Sequence, residues 1–419
     1  MKQFKTVLNY INFISFLSIA AASIYTFSVI IRVSLYLFFI SYLLELIVEK
    51  KWKSVQFEKK TFYFIIIIGF FLIAPISGLF DDTPVYVNYL VERRLPLFGF
   101  AIVGIFGLNK LYNIKLLFQT MIISSFIAII YLVFYRIGIK EFITNTLRAD
   151  IFQEFRIKYV HGHMMFNFYL NLSIIGIWYI LTTEWKKTSW FIISSYFIVF
   201  ILFMYFLLIS EGRTGFTEAC LLILISAFIE LWKWKRKAAI VLLVLIPFIL
   251  FGAISHHRRI SKDAVEKEAR LFLYKTAFYL IEEKPVFGYG LSNAQEKFDI
   301  ERAKYQSESF RVWSLKINNI DSHNQYLHTT LEFGIVGLIL LLFIYYFPIL
   351  VVNRNRLTLL ILFIGLYSYH SIFDMFITGQ FATVFSILML SILNNESEDY
   401  LRPKSAGISP QTSVSHLKT

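Results

Sequence analysis

Ser322-His-Asn-Gln-Tyr-Leu-His-Thr-Thr-Leu-Glu-Phe-Gly-Ile-Val-Gly-Leu338 carries two histidines in a polar run that passes directly into an apolar helix. It closes the one long polar region between hydrophobic spans, where a pocket residue at a membrane surface would sit. The surrounding chain of 419 residues is 57% hydrophobic, 18% aromatic and only 16% charged, far from the balance of an average soluble domain. Its apolar runs last about 18 to 22 residues, the length a helix needs to cross roughly 30 Å of hydrocarbon. A closed barrel would show alternating segments of about ten residues instead. The expected fold class is therefore an all-α polytopic membrane protein.

Twelve spans are expected, at roughly residues 7–25, 28–48, 62–79, 95–109, 116–136, 164–182, 190–209, 216–232, 238–254, 334–352, 357–373 and 381–394. Residues 1–254 then hold nine spans, 255–333 form one large loop containing helices, and 334–394 hold the last three. The Ser-rich polar residues 395–419 read as a disordered cytoplasmic tail. Met1 to Lys5 followed by an apolar run to Ala20-Ala-Ala-Ser23 resembles a signal peptide. We read it as an uncleaved first span, because the many spans that follow need it for orientation.

The formal charge of +13 does not point to nucleic acid, because most of the excess lies in short loops between spans, where it sets orientation. With twelve spans, Lys2/Lys5, Lys50 to Lys60, Lys110/Lys115, Lys186/Lys187, Lys233 to Lys237 and Arg354/Arg356 all share one side. That side is the cytoplasm, with both termini in it. Segments 81–94, 138–163, 210–215 and 255–333 face outward. The single cysteine, Cys220, excludes an intramolecular disulfide.

Chemistry-bearing residues cluster in these outward segments. Glu211-Gly-Arg-Thr-Gly215 puts Arg213 beside the free N–H groups of a helix start, a match to phosphate. An outward arginine also runs against the charge rule that would otherwise explain it. In the long loop Leu273, Ala277, Leu280 and Ile281 share a helical face, with Arg270 at its N-terminal end. Such a helix lies on the membrane or folds over a cavity; the plainer reading pairs Arg270 with Glu266 or Glu268. Pro285-Val-Phe-Gly-Tyr-Gly-Leu-Ser-Asn293 supplies a glycine turn, Tyr289 and Gly290 included, whose backbone could approach a ligand.

His323 can take or give a proton near neutral pH, before a helix whose start is marked by Glu332 and Gly334. Asn324 could orient a sugar hydroxyl or the imidazole, and His328 reads as structural. His161 and His163 lack the Cys or carboxylate companions of a zinc site, so no metal is expected. Asp81-Asp82 and the pair His370/Asp374, one helical turn apart, rank lower. Nucleotide and hydrolase signatures, from the Walker loop to Gly-x-Ser-x-Gly, are absent from the sequence.

The motifs at Gly212 to Gly215, Lys284 to Asn293 and Ser322 to Leu338 resemble, in order, spacing and sidedness, the bacterial O-antigen ligase and polymerase superfamily. The resemblance is specific over about residues 205–345 and rests before that on span count and the His161-Gly-His163 segment. It implies a GT-C-type membrane glycosyltransferase fold in the bacterial inner membrane, with the site facing the periplasm. It also implies undecaprenyl-diphosphate-linked O-antigen as donor, without metal, nucleotide or other cofactor. Carried onto this chain, Arg213 and Arg270 would hold the donor diphosphate and His323 would act on the acceptor hydroxyl or assist its positioning. Tyr289, Gly290, Asn324, His161 and His163 would support them. The ligase, which transfers finished O-antigen onto lipid A-core oligosaccharide, fits chain length and the single large loop. The polymerase is the near alternative. A flippase or transporter is the distant one, and would place charges at mid-depth.

Overall fold

Apolar runs fold as helices because in hydrocarbon every backbone polar group must be satisfied within its own segment. The computed structural model describes residues 2–25, 28–81, 84–108, 111–145, 163–185, 188–210, 213–255, 269–304 and 321–394, and no strand occurs among them. Helices α1 (Lys2–Ala22) and α2 (Ser28–Glu49) pack side by side, followed by α3 (Lys59–Gly78), the short α4 (Pro84–Glu92) and α5 (Leu95–Phe106). Next come α6 (Ile114–Tyr131), α7 (Ile139–Asn145), α8 (His163–Glu184), α9 (Trp190–Ile209), α10 (Arg213–Trp234) and α11 (Arg236–Ser255). The long loop contributes α12 (Ala269–Glu283) and α13 (Asn293–Lys304). The chain then forms α14 (Gln325–Tyr346), α15 (Leu357–His370) and α16 (Gly379–Leu393).

Among the described residues, 8 helices are long and apolar enough to cross a membrane: α1, α2, α3, α6, α8, α9, α10 and α14. The chain is thus a multi-pass membrane protein. Each expected span coincides with a helix, but α5, α15 and α16 have only 12, 14 and 15 residues, below the roughly 20 of a full crossing. Residues 395–419, read above as a tail, lie outside the described residues, as do 256–268 and 305–320 of the loop.

Helices apolar all round belong inside, and α16 is buried at every position from Phe381 to Leu393. Helix α8 is the second central element, with Asn167, Asn171 and Ser173 fully enclosed and the Ser173 hydroxyl 2.9 Å from that of Ser125 on α6. Helix α9 sits at the rim instead and leaves Phe191, Phe197 and Ile198 exposed, as a lipid-facing surface requires. Arg356 donates through Nη1 to the carbonyls of Ser391, Ile392 and Asn394, at 2.8, 3.2 and 2.6 Å. These are orphan carbonyls at the end of α16, so Arg356, expected from the sequence to set orientation, caps a buried helix.

The start of α14 departs from the sequence reading. The helix begins at Gln325, capped by Asn324, and Gly334 is a break within it rather than its beginning, with φ 64° and ψ −159°. The polar turn Gln325 to Thr330 extends the apolar span because it is buried on neighbouring polypeptide. Hydropathy alone does not register that burial.

Candidate functional site

The polar run ahead of α14 is held by its own side chains. Asp321 Oδ1 accepts a hydrogen bond from the His323 amide at 2.8 Å, and Asn324 Oδ1 accepts from the Leu327 amide at 2.9 Å. His323 adopts φ 47°, the left-handed region, where a non-glycine residue costs on the order of 1–3 kcal/mol and must be held by its surroundings. The surroundings are the turn after α15. The Gln325 amide donates to Ser371 O at 2.8 Å, Asn324 Nδ2 donates to Ile372 O at 3.1 Å, and Gln325 Oε1 accepts from the Ile377 amide at 2.9 Å.

This clamp sets His323 between two carboxylates. Its Nδ1 lies 3.5 Å from Asp321 Oδ1 and 3.6 Å from Asp374 Oδ1. Burial alone would depress the imidazole pKa, but the neighbouring carboxylates of Asp374 and Asp321 outweigh it and hold the pKa above its ordinary value. Arg270 works in the opposite direction, which puts its charge within electrostatic reach of the ring.

Arg270 stands in the first turn of α12, whose Leu273, Ala277 and Leu280 are buried in the expected helical register. That face packs on α13 and α14, so the loop helix covers the bundle rather than lying free. Tyr274 fixes it by donating to Ile372 O at 2.6 Å. The guanidinium lies 5.7 Å from the centre of the Phe373 ring, with Nη2 3.5 Å from Met164 Sδ in the first turn of α8. The backbone of Arg213 opens α10 beside the same turn, where Thr217 and Tyr369 share a 2.8 Å hydrogen bond. The starts of α8, α10, α12 and α14 thus converge on residues 369–374. The side chains of Arg213 and His163, and the whole of His161, lie outside the described residues.

The other sequence candidates do structural work. The glycine turn docks on the break in α14: the amides of Tyr289 and Gly290 donate to Leu331 O and Glu332 O at 2.8 and 2.9 Å, and Pro285 O accepts from the Ile335 amide at 2.8 Å. Gly288 has φ 66°, and a Cβ there would lie 2.5 Å from Leu331 O; at Gly290, φ 93°, it would strike Asp81. The turn's close approach is therefore to protein backbone, where the sequence allowed a ligand. The Tyr289 hydroxyl donates to Glu283 at 2.6 Å, and Asp81 accepts from the Ser292 amide at 2.7 Å. Asn324 is engaged as a cap, and His328 Nε2 lies 3.2 Å from buried Glu332.

Three features escaped the sequence reading. His370 and Asp374 are one turn apart, yet their side chains diverge: Asp374 meets His323, while His370 Nε2 meets Glu218 on α10, which Asn171 Nδ2 also contacts at 2.7 Å. Glu332 forms a buried ion pair with Arg94, Nη2 to Oε2 2.5 Å. Asp321 carried one usable signal, since an Asp two residues before His323 in a polar turn is placed to bond its amide. Glu218, Asn171 and Arg94 are lone polar residues in separate segments, and only the fold pairs them.

A chamber of about 610 Å³ reaches Asp321, lined among others by Tyr89, Arg93, Ser292, Glu296, Asp299 and His328. Asp321, His323 and Asp374 also offer ligand atoms within 4.8 Å of one another, a spacing compatible with a divalent cation as well as with proton transfer. Residues 197–342 match the family model described as O-antigen ligase. The comparison with curated proteins gave no match.

Proposed function

We propose that this chain, an O-antigen ligase and polymerase family member by its residues 197–342, is the ligase, transferring undecaprenyl-diphosphate-linked O-antigen onto a sugar hydroxyl of lipid A-core oligosaccharide. The observation that carries the chemistry is His323 between Asp321 and Asp374, with Arg270 alongside. The neutral imidazole takes the proton of the acceptor hydroxyl as its oxygen attacks the anomeric carbon. The bond to the diphosphate breaks, and undecaprenyl diphosphate leaves with the electron pair. Asp374 orients the ring and stabilises the imidazolium that forms. Arg270, with Arg213 at the start of α10, meets the charge that develops on the leaving group, each worth about 2–4 kcal/mol of barrier on the scale of a lost oxyanion donor. The diphosphate bond supplies the driving force, so the reaction in this reading needs neither nucleotide nor metal.

The reading places twelve spans of a GT-C-type fold in the bacterial inner membrane, both termini in the cytoplasm, and residues 255–333 in the periplasm above the last three spans. Support comes from the shared level of the functional groups: Arg270, His323, Asp374 and the α10 start meet at one end of the bundle. The banding of lipopolysaccharide in a deletion strain tests it. Rough lipopolysaccharide with accumulated lipid-linked O-antigen is the expected result. Core bearing one repeat would assign the polymerase reaction instead, and loss of all periplasmic donor would assign a flippase.

A further inference from the structure

A second groove adjoins this chamber. It encloses about 450 Å³ between α2, the α4–α5 turn and the start of α16, with Leu35, Tyr36, Phe39 and Pro96 among its walls. Two arginines stand at it. Arg32 is exposed, one turn inside an apolar helix, and meets no acidic partner among the described residues. Arg93 lies over the Tyr89 ring at 5.7 Å and donates to Thr378 Oγ1 at 3.4 Å. Glu92 is the only carboxylate of the lining, and it is exposed. A cation left unpaired on a lipid-facing helix is costly unless a lipid headgroup answers it.

The groove and the chamber share Tyr89 and Arg93. Charge is graded along this path. The groove is apolar with Arg93 at the join, while the chamber presents Glu296, Asp299 and Asp321, Asp299 being paired with Arg302 at 2.5 Å. Carboxylates repel a phosphate and accept hydrogen bonds from sugar hydroxyls. An amphiphile with acyl chains, a phosphate and a sugar would therefore settle in that order, its sugar next to Asp321, the carboxylate 3.5 Å from His323 Nδ1.

We propose that this groove is the binding site of the acceptor lipid, a phosphorylated glycolipid whose acyl chains lie against α2 and α5 and whose phosphate sits on Arg32 and Arg93. The assignment as acceptor rests on the transferase reading above; the assignment as an anionic-lipid site does not. The donor then meets Arg270 and the acceptor meets Arg93.

The test uses the full chain in phosphatidylcholine nanodiscs doped with phosphatidic acid, with Tyr36→benzoyl-phenylalanine as photocrosslinker and mass spectrometry of the adduct. Labelling of phosphatidic acid well above its share of the bilayer is expected. Arg32→Gln with Arg93→Gln should weaken it about thirtyfold, at about 1 kcal/mol per cation facing an anionic lipid. Arg32→Gln alone removes no ion pair among the described residues and guards against misfolding; it should weaken labelling severalfold. In transfer assays Arg32→Gln should raise KM for the glycolipid acceptor and leave kcat and the donor KM unchanged. Labelling in proportion to bilayer composition, or adducts with another polypeptide, would overturn the site. Selective labelling with an unchanged acceptor KM would overturn its role as acceptor site, and labelling is read without transfer, so failure of the ligase reading leaves the binding result standing.

Discussion

Arg94→Met, Glu332→Leu and the two combined separate what the buried ion pair contributes from what its burial costs. The side chains are 3% and 1% exposed, with 2.5 Å between Nη2 and Oε2. Removing one partner leaves the other charge buried and unanswered, a loss of about 3–5 kcal/mol. The two single variants should differ within that range. Without Arg94, Glu332 still has His328 Nε2 at 3.2 Å, which puts Arg94→Met near the lower end. Without Glu332, Arg94 keeps only the Phe333 ring at 5.7 Å, and its Nη1 already has no hydrogen-bond partner among the described residues. Glu332→Leu therefore lies near the upper end. The double variant replaces the pair with apolar groups of similar volume and should fall between neutral and about 1–4 kcal/mol more stable than the parent. The backbone bond from Gly290 to Glu332 O is present in all of them. SDS titration of the detergent-solubilised protein, followed by tryptophan fluorescence, measures the four stabilities. A double variant no more stable than Glu332→Leu would refute the coupling.

Gly334→Ala should prevent folding or shift the unfolding midpoint sharply, because φ 64° and ψ −159° suit glycine alone and a Cβ would overlap the Val286 carbonyl; an unchanged midpoint would contradict this. His323→Ala and Arg270→Ala should each lower transfer about 30- to 1000-fold, on the 2–4 kcal/mol scale of a lost oxyanion donor, with insertion unchanged by protease protection. The raised His323 pKa makes the charged ring a stabilising contribution that is complete below the ordinary histidine value and lost as pH rises through the raised one. Transfer needs the neutral ring and has the opposite dependence, so Asp374→Asn should move the acid limb of the pH–rate profile to lower pH; a limb that stays in place would remove Asp374 as its cause. Treatment with EDTA should leave the transfer rate unchanged, and loss restored by a divalent ion would assign Asp321, His323 and Asp374 as a metal site.

The spans were legible because hydrocarbon demands long apolar helices, and α9 falls on the expected residues, 190 to 209. The α12 face was legible for the same reason: its period was printed by Leu273, Ala277 and Leu280 before any partner was known. The beginning of α14 was misread because Glu332 and Gly334 look like the edge of a span, whereas Glu332 is polar on account of Arg94, some 238 positions away. The role of the glycine turn was likewise hidden, since a tight turn on a ligand and a tight turn on the α14 backbone need the same glycines. Asp374 and His370 show the limit most plainly. Their spacing was visible, but which helix each side chain meets depends on α10 and α14, set by packing and not by local sequence.

The clamp on His323 has a consequence for biogenesis. The amide and side chain of Gln325 are held by Ser371 and Ile377, and Asn324 by Ile372. A nascent chain halted just after residue 342 would contain the whole family-matched segment, 197–342, and would still lack the turn that sets the imidazole. Loop closure over that distance comes late in synthesis, so the clamp on His323 forms only once the turn after α15 has been made. The stretch that matches the family model is thus shorter than the stretch that builds this turn.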